Sequence, residues 1–149
     1  MASHHYTECG LKNVIINGLR PVVDDEGDEI ITIHAVNELH RVIAEGIVSH
    51  AHGISGDELR FLRTEMGLTQ AELASLVHRD KQSVGRWERG EIEMDGAAET
   101  IIRRLAIEML ALAVDTDTSE LSRRSIPTAE VQPITIRSSD DGKYELLVA

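Results

Sequence analysis

The sequence predicts a mainly α fold with a small α+β module at its N-terminus, a bundle of four to five helices in the middle and a β-hairpin tail at its C-terminus. Three observations predict it. Apolar residues recur at helical spacing near residue 40 and again through the centre of the chain. Short β-rich runs flank an Asn-Gly dipeptide near one end and an Asp-Gly dipeptide near the other. Between them, short central segments are punctuated by N-cap residues and glycine stops. Only 3% of the 149 residues are aromatic, so aliphatic side chains must build the core.

Pattern and charge divide the chain into residues 1–54, 55–114 and 115–149. In the first segment, Val14-Ile15-Ile16 precedes Asn17-Gly18, a dipeptide suited to a type I′ hairpin because both of its positions need positive φ. Leu19 to Val23 is the expected return strand, and Pro21, which lacks an N–H, suits a sheet edge. Asp24 to Asp28 reads as a loop and Glu29 to Ile33 as a third strand. Val36, Leu39, Ile43 and Ile47 fall on one face of a helix expected from Ala35 to about Val48. His50-Ala51-His52-Gly53 reads as a linker. In the last segment, Asp115 to Ser125 is polar and expected to be flexible. Ile134 to Arg137 and Tyr144 to Val148 form a hairpin around Asp141-Gly142. The two terminal hairpins have two arrangements open to them: one shared sheet, or pairing of the tail with another chain.

The central segment is the informative one. Asp57 to Met66 is a short helix with Leu59, Leu62 and Met66 on one stripe, closed by Gly67. Thr69 is placed to cap the next helix, with Glu72 three residues later in the capping-box position. That helix, Gln70 to Val77, buries Leu73, Ala74 and Val77. Asp80 caps a third helix, Lys81 to Arg89, and Gly90 stops it. Two helices joined by a tight turn, with small Ala74 at their crossing, make a helix-turn-helix. Spacing turns Val84 and Trp87 to the core. A further helix from Ala97 to about Val114 carries Ile101, Ile102, Leu105, Ala106, Met109, Leu110, Leu112 and Ala113, more apolar surface than one seam needs. Part of it is expected to form a dimer interface.

Leu68-Thr69-Gln70-Ala71-Glu72-Leu73-Ala74, followed by Ser83-Val84-Gly85-Arg86-Trp87-Glu88-Arg89-Gly90, resembles the XRE family of Cro and repressor-like DNA-binding domains. The resemblance covers about Ser55 to Leu112 and implies a lambda-repressor-like bundle. It departs at His78, where the family usually has Gly; His is among the residues enriched at positive φ. The family lays its third helix in the major groove. Carried over, the base-reading residues are Lys81, Gln82, Ser83 and Arg86. Gln pairs two-pronged with adenine, and Lys or Arg reaches guanine O6 and N7. Gln70, Arg79 and Arg89 are the expected phosphate contacts, and Arg63 with Glu88 resembles the family's structural ion pair. The implied partner is double-stranded DNA, a palindromic operator read by a homodimer.

The order of segments is similar to the MqsA and HigA-like antitoxins of bacterial toxin–antitoxin operons. Tyr6-Thr7-Glu8-Cys9-Gly10-Leu11, followed by Asn13-Val14, looks like the remnant of an MqsA-type N-terminus. There, paired Cys-x-x-Cys motifs hold zinc; here only Cys9 remains, so the zinc does not carry over. The resemblance implies that the first segment binds and neutralises a basic toxin protein while the helix-turn-helix represses the operon. The alternative is a stand-alone regulator whose first segment senses a ligand or mediates dimerisation.

Charge sharpens the reading. The net charge of −11 seems to oppose nucleic acid, since phosphate contacts need Lys and Arg. It is distributed as −5 over residues 1–54, −3 over 55–112 and −3 over 113–149. Residues 79–89 run against it, with Arg79, Lys81, Arg86 and Arg89 against Asp80 and Glu88. No metal or other cofactor is expected: His4, His5 and Cys9, and His50 with His52, fall short of a four-ligand zinc set. No catalytic residue is expected, because nothing fixes an activating base beside Cys9 and the chain lacks a phosphate-binding glycine loop. The chain lacks an apolar run of about 18 residues and a secretory leader in Met1 to Lys12, so the expected location is the bacterial cytoplasm, at the nucleoid when bound to an operator, with no membrane partner.

Overall fold

Val14, Ile16, Ile134 and Ile136 are fully buried, and they belong to the two central strands of one sheet. A computed structural model describes residues 2–127 and 130–147. In chain order its elements are β1 (Ala2–His5), β2 (Val14–Leu19), β3 (Val22–Val23), β4 (Glu29–Ile30), α1 (Val36–Ser49), α2 (Gly56–Glu65), α3 (Gln70–Leu76), α4 (Lys81–Glu88), α5 (Gly96–Met109), α6 (Thr118–Arg124), β5 (Ile134–Ser138) and β6 (Tyr144–Leu147). The main sheet has the order β1-β2-β5-β6, with β2 and β5 parallel and both outer pairs antiparallel. The terminal segments therefore share a sheet. Val148, the last residue of the expected C-terminal strand, lies outside the described residues.

The expected hairpin at Asn17-Gly18 does not form. β2 runs straight through it, and Gly18, at φ +87°, is an extra residue in the ladder: Ser3 pairs with Asn17 while the next partner, Ala2, pairs with Leu19. A glycine at positive φ suits such a bulge. The bulge restores the inward face, so Val14, Ile16 and Leu19 are all buried. It also brings β5 close, because a Cβ on Gly18 would lie 2.5 Å from the Ser138 carbonyl oxygen. The return strand shortens to Val22–Val23 and the third strand to Glu29–Ile30, and these two pair with each other across the Asp24 to Asp28 loop.

α1 covers one face of the sheet with Leu39, Ile43 and Ile47, each fully buried. Its Gly46 faces β5 and β6, where a Cβ would meet Ile134 at 2.8 Å and Leu146 at 3.2 Å. A side chain here would push the helix off the sheet. α2, α3 and α4 pack together as the helix-turn-helix, α5 packs against α1, and α6 packs on α5 through Leu121, which is fully buried. The Asp115–Ser125 stretch is thus ordered in part as a helix: Asp117 accepts the Glu120 N–H as its N-cap. One buried leucine anchors it where composition alone indicated flexibility. The expected helix from Ala97 to Val114 is α5, and it stops earlier, at Met109, with Ala111 at φ +50°.

His50 to Gly53 is more than a linker. His52 is fully buried, with Nδ1 3.1 Å from the His50 carbonyl and Nε2 2.9 Å from Glu58 Oε1. Glu58, also buried, accepts from the Ser55 N–H and from Asn13 Nδ2, which ties α2 to the start of β2. Arg103 of α5 is the largest fully buried side chain. Its guanidinium donates to the carbonyls of Val48 and His50, both at 2.9 Å, and to those of His52 and Arg124. It also faces Glu99 at 3.7 Å. Burial lowers its pKa, and the Glu99 and Glu58 carboxylates oppose that effect. Arg103→Leu would leave Glu99 and several carbonyls unpaired, so we expect a loss of about 3–5 kcal/mol in urea unfolding. Arg104→Leu, removing an exposed pair with Glu108, should cost less than about 1 kcal/mol. Equal effects would show that the buried guanidinium has no special part in the fold.

Candidate nucleic-acid interface

Local signals set every boundary of the helix-turn-helix. Ser55 caps α2 and Thr69 caps α3, each in a full capping box with Glu58 and Glu72. Such boxes satisfy two of the N–H groups that a helix start leaves unpaired. Asp80 caps α4 by accepting the Ser83 N–H at 2.7 Å and the Ser83 hydroxyl at 3.0 Å. Those bonds hold the Asp80 carboxyl below its ordinary range. His78 occupies the turn at φ +58°, the left-handed conformation that the tight connection requires. Leu73, Ala74, Val84 and Trp87 are buried between α3, α4 and their neighbours.

Glu88 organises the bundle from within. Its side chain is fully buried and receives Arg63 Nε at 2.6 Å, Arg63 Nη2 at 3.1 Å, Gln70 Nε2 at 3.1 Å and Arg60 Nε at 3.4 Å. Arg63 Nη1 also holds the Leu68 carbonyl of the α2–α3 loop at 3.0 Å. One carboxylate on α4 thereby connects α2, α3 and their loop. Burial pushes the Glu88 carboxyl up, but the donors from Arg63, Gln70 and Arg60 outweigh it and hold it below the ordinary range.

The remaining sequence-selected residues fall into two groups. Arg79 makes a two-pronged pair with Asp95, at 2.7 and 3.0 Å, and its guanidinium carbon lies 5.8 Å from the Trp87 ring centre. Arg89 pairs with Glu91 at 2.8 Å. Lys81, Gln82 and Arg86 are exposed on α4 without such partners among the described residues, whereas Ser83 is half-buried and committed to the cap. Among the described residues, every Lys and Arg side chain except Lys12, Lys81 and Arg86 has a carboxylate within ion-pair distance. Two of these three project from one helix eight residues long.

Sequence reasoning missed the roles of Arg60, which joins the Glu88 cluster, and of His52, Glu99 and Arg103. Arg60 stands three residues before Arg63, on the same helical face, which is the signal that could have found it. His4, His5 and Cys9 do not converge. Cys9 lies 3.9 Å from the Tyr6 carbonyl, and burial raises its thiol pKa, the opposite of an activated nucleophile. Among the described residues, the one group of three side chains spaced to share an ion is Asp24, Glu26 and Asp28, in the exposed β3–β4 loop.

Residues 56–123, from α2 into α6, match the family model described as a helix-turn-helix domain. No curated protein and no solved structure matches the chain. The match, with the α3–turn–α4 geometry, identifies a helix-turn-helix domain within this chain, a class of domain that supports a DNA-binding regulator. No helix of the described residues is long and apolar enough to cross a membrane.

Glu88→Gln, leaving Arg63 partly buried without its partner, should cost about 3 kcal/mol at neutral pH. Because the folded pKa of Glu88 is depressed, the wild-type carboxylate contributes its full stability above the unfolded value of about 4.3 and loses it as the pH falls through the lower folded value. Urea unfolding should therefore show the two proteins converging as the pH falls below the unfolded value of about 4.3. A gap that stays constant from neutral to acid pH would refute the assignment of this stability to the ionised carboxylate.

Proposed function

We propose that this chain is a sequence-specific DNA-binding transcriptional repressor of the XRE type. Lys81, Gln82 and Arg86 on α4 meet base edges in the major groove, and Ser83 contributes as an acceptor, its proton being given to Asp80. The carrying observation is the pair of cations, Lys81 and Arg86, on one helix of an acidic protein: with Lys12, they are the Lys and Arg side chains without a carboxylate partner among the described residues. Gln70, at the first turn of α3, and Arg79 and Arg89 contact phosphate. For the two arginines, this means exchanging Asp95 and Glu91 for the backbone of the duplex, whereas Gln70 reaches it with the amide N–H that it does not give to Glu88. The acidity elsewhere opposes general coating of DNA and so favours a specific operator.

The protein acts as a homodimer on a palindrome, with half-sites about one helical turn apart or a multiple of it. An apolar stripe on α5 supports this: Ile101 and Met109 are 41% and 46% exposed, with Leu105 half-buried between them. The operon role is that of the antitoxin of a type II toxin–antitoxin pair, in the bacterial cytoplasm. Its acidic N-terminal segment faces a basic toxin. The support for that role is the order of segments and the charge, −5 over residues 1–54. Co-expression with the product of the neighbouring gene tests it: rescue from a toxic small basic protein is the expected outcome, and a harmless neighbour leaves a stand-alone regulator.

For the DNA-binding role, gel-shift and footprinting on the DNA upstream of the gene should show one protected palindrome. Arg86→Ala should cost roughly 1–3 kcal/mol per half-site and relax base preference. Gln70→Ala should weaken all sequences alike. Unchanged affinity and specificity in Arg86→Ala would overturn α4 as the reading helix.

A further inference from the structure

Behind α4, away from its exposed face, lies a cavity of about 300 Å³. Ile54, Leu59, Trp87 and Met94, all buried, form its apolar walls. Glu99 also lines it and is only 1% exposed. One carboxylate oxygen, Oε1, accepts the Ile54 N–H at 2.6 Å. The other, Oε2, forms an ion pair with Arg103 Nη2 at 3.7 Å but is buried without a hydrogen-bond donor among the described residues. A buried carboxylate oxygen left without a donor is costly, and such groups call for an explanation.

The surroundings define what would satisfy it. Glu93 and Glu130 add two further carboxylates at the rim, and no Lys, Arg or His lines it among the described residues. The last carbonyls of α4, the negative end of that helix, back onto Gly56 in the same wall. Two N–H groups of this wall are already taken, Ile54 N–H by Glu99 and Ser55 N–H by Glu58. A volume near 300 Å³ is at the small end for ligand sites. From these observations we propose that the cavity is a binding site for a small apolar ammonium compound, whose –NH₃⁺ donates to Glu99 Oε2 while its hydrocarbon part lies against Trp87, Leu59 and Met94. The site is separate from the exposed α4 face and does not depend on DNA binding.

Trp87 is the protein's single tryptophan, so its emission reads the cavity directly. The full chain would be titrated with 2-phenylethylamine, with phenylacetate and toluene as matched anionic and uncharged probes. A saturable change in Trp87 emission is expected for the amine, with the other two at least about tenfold weaker. Ile92, at the rim and 45% exposed, offers a variant that spares the fold. Ile92→Phe should narrow the entrance and weaken the amine at least about tenfold, with unchanged circular dichroism. Glu99→Gln keeps an acceptor for Ile54 and should remove the preference for the amine over toluene. The proposal is overturned by no saturable response to the amine, by an equal response to phenylacetate or toluene, or by full amine binding in Ile92→Phe.

Discussion

The structure depends on one buried guanidinium. A helix end leaves its last carbonyls without partners, and when that end is buried something must supply donors. α1 ends inside the protein, and its last turn carries no basic residue. Arg103, arriving from α5, supplies the donors instead, and the same planar group reaches His52 in the following segment and Arg124 at the end of α6. A lysine has three donors on a point charge and could not serve so many acceptors at once. Because burying a charge without compensation costs several kcal/mol, the guanidinium is tolerated only while these carbonyls and Glu99 stay where they are. The helix that covers the sheet and the helix-turn-helix bundle are therefore held to one geometry by one side chain.

The same economy of charge shapes the surface. On a protein with 15 basic and 26 acidic residues, almost every cation finds a carboxylate nearby. Each exposed pair adds little stability, typically under about 1 kcal/mol. Their joint effect is electrostatic: they leave few places where positive potential reaches solvent. α4 is such a place, and its N-terminal turn, capped by Asp80, keeps Lys81 and Gln82 outward while Val84, Trp87 and Glu88 turn inward. The inward residues fix the helix rotation that the outward ones need.

The helix-turn-helix was legible in the sequence because its determinants are local. The Thr69 capping box, the Asp80 cap, the positive φ of His78 and the stops at Gly67 and Gly90 lie within a few residues of the boundaries they define. The sheet was not legible as a sheet, because β2 and β5 are a parallel pair more than a hundred residues apart. That long-range pairing overrode the local preference of Asn17-Gly18 for a hairpin and turned its glycine into a bulge. His52 was misread for a related reason: a histidine in a short polar stretch resembles a linker until Glu58 and the His50 carbonyl close around it. The ion pair of Arg63 with Glu88 could be placed by resemblance, whereas Arg103, in a helix that looked merely apolar, carried no local sign of its partners.

A parallel pair needs a crossover connection, ordinarily a single helix packed on the sheet. Here α1 is that helix, and the whole helix-turn-helix bundle is inserted between α1 and β5. The chain consequently passes between sheet and bundle twice, once through residues 50–55 and once through the residues after α6. The two passages touch, since a Cβ on Gly53 would lie 3.0 Å from Pro127 Cα. The cavity behind Trp87 is bounded by both, through Gly53 and Ile54 on one side and Pro127 on the other. A ligand there would contact α4 and both connections together. Any difference in its affinity between two arrangements of sheet and bundle would bias that equilibrium by the same free energy, in the same direction for every copy. The insertion topology thus places this apolar cavity beside α4, at the point where the sheet and the bundle are joined.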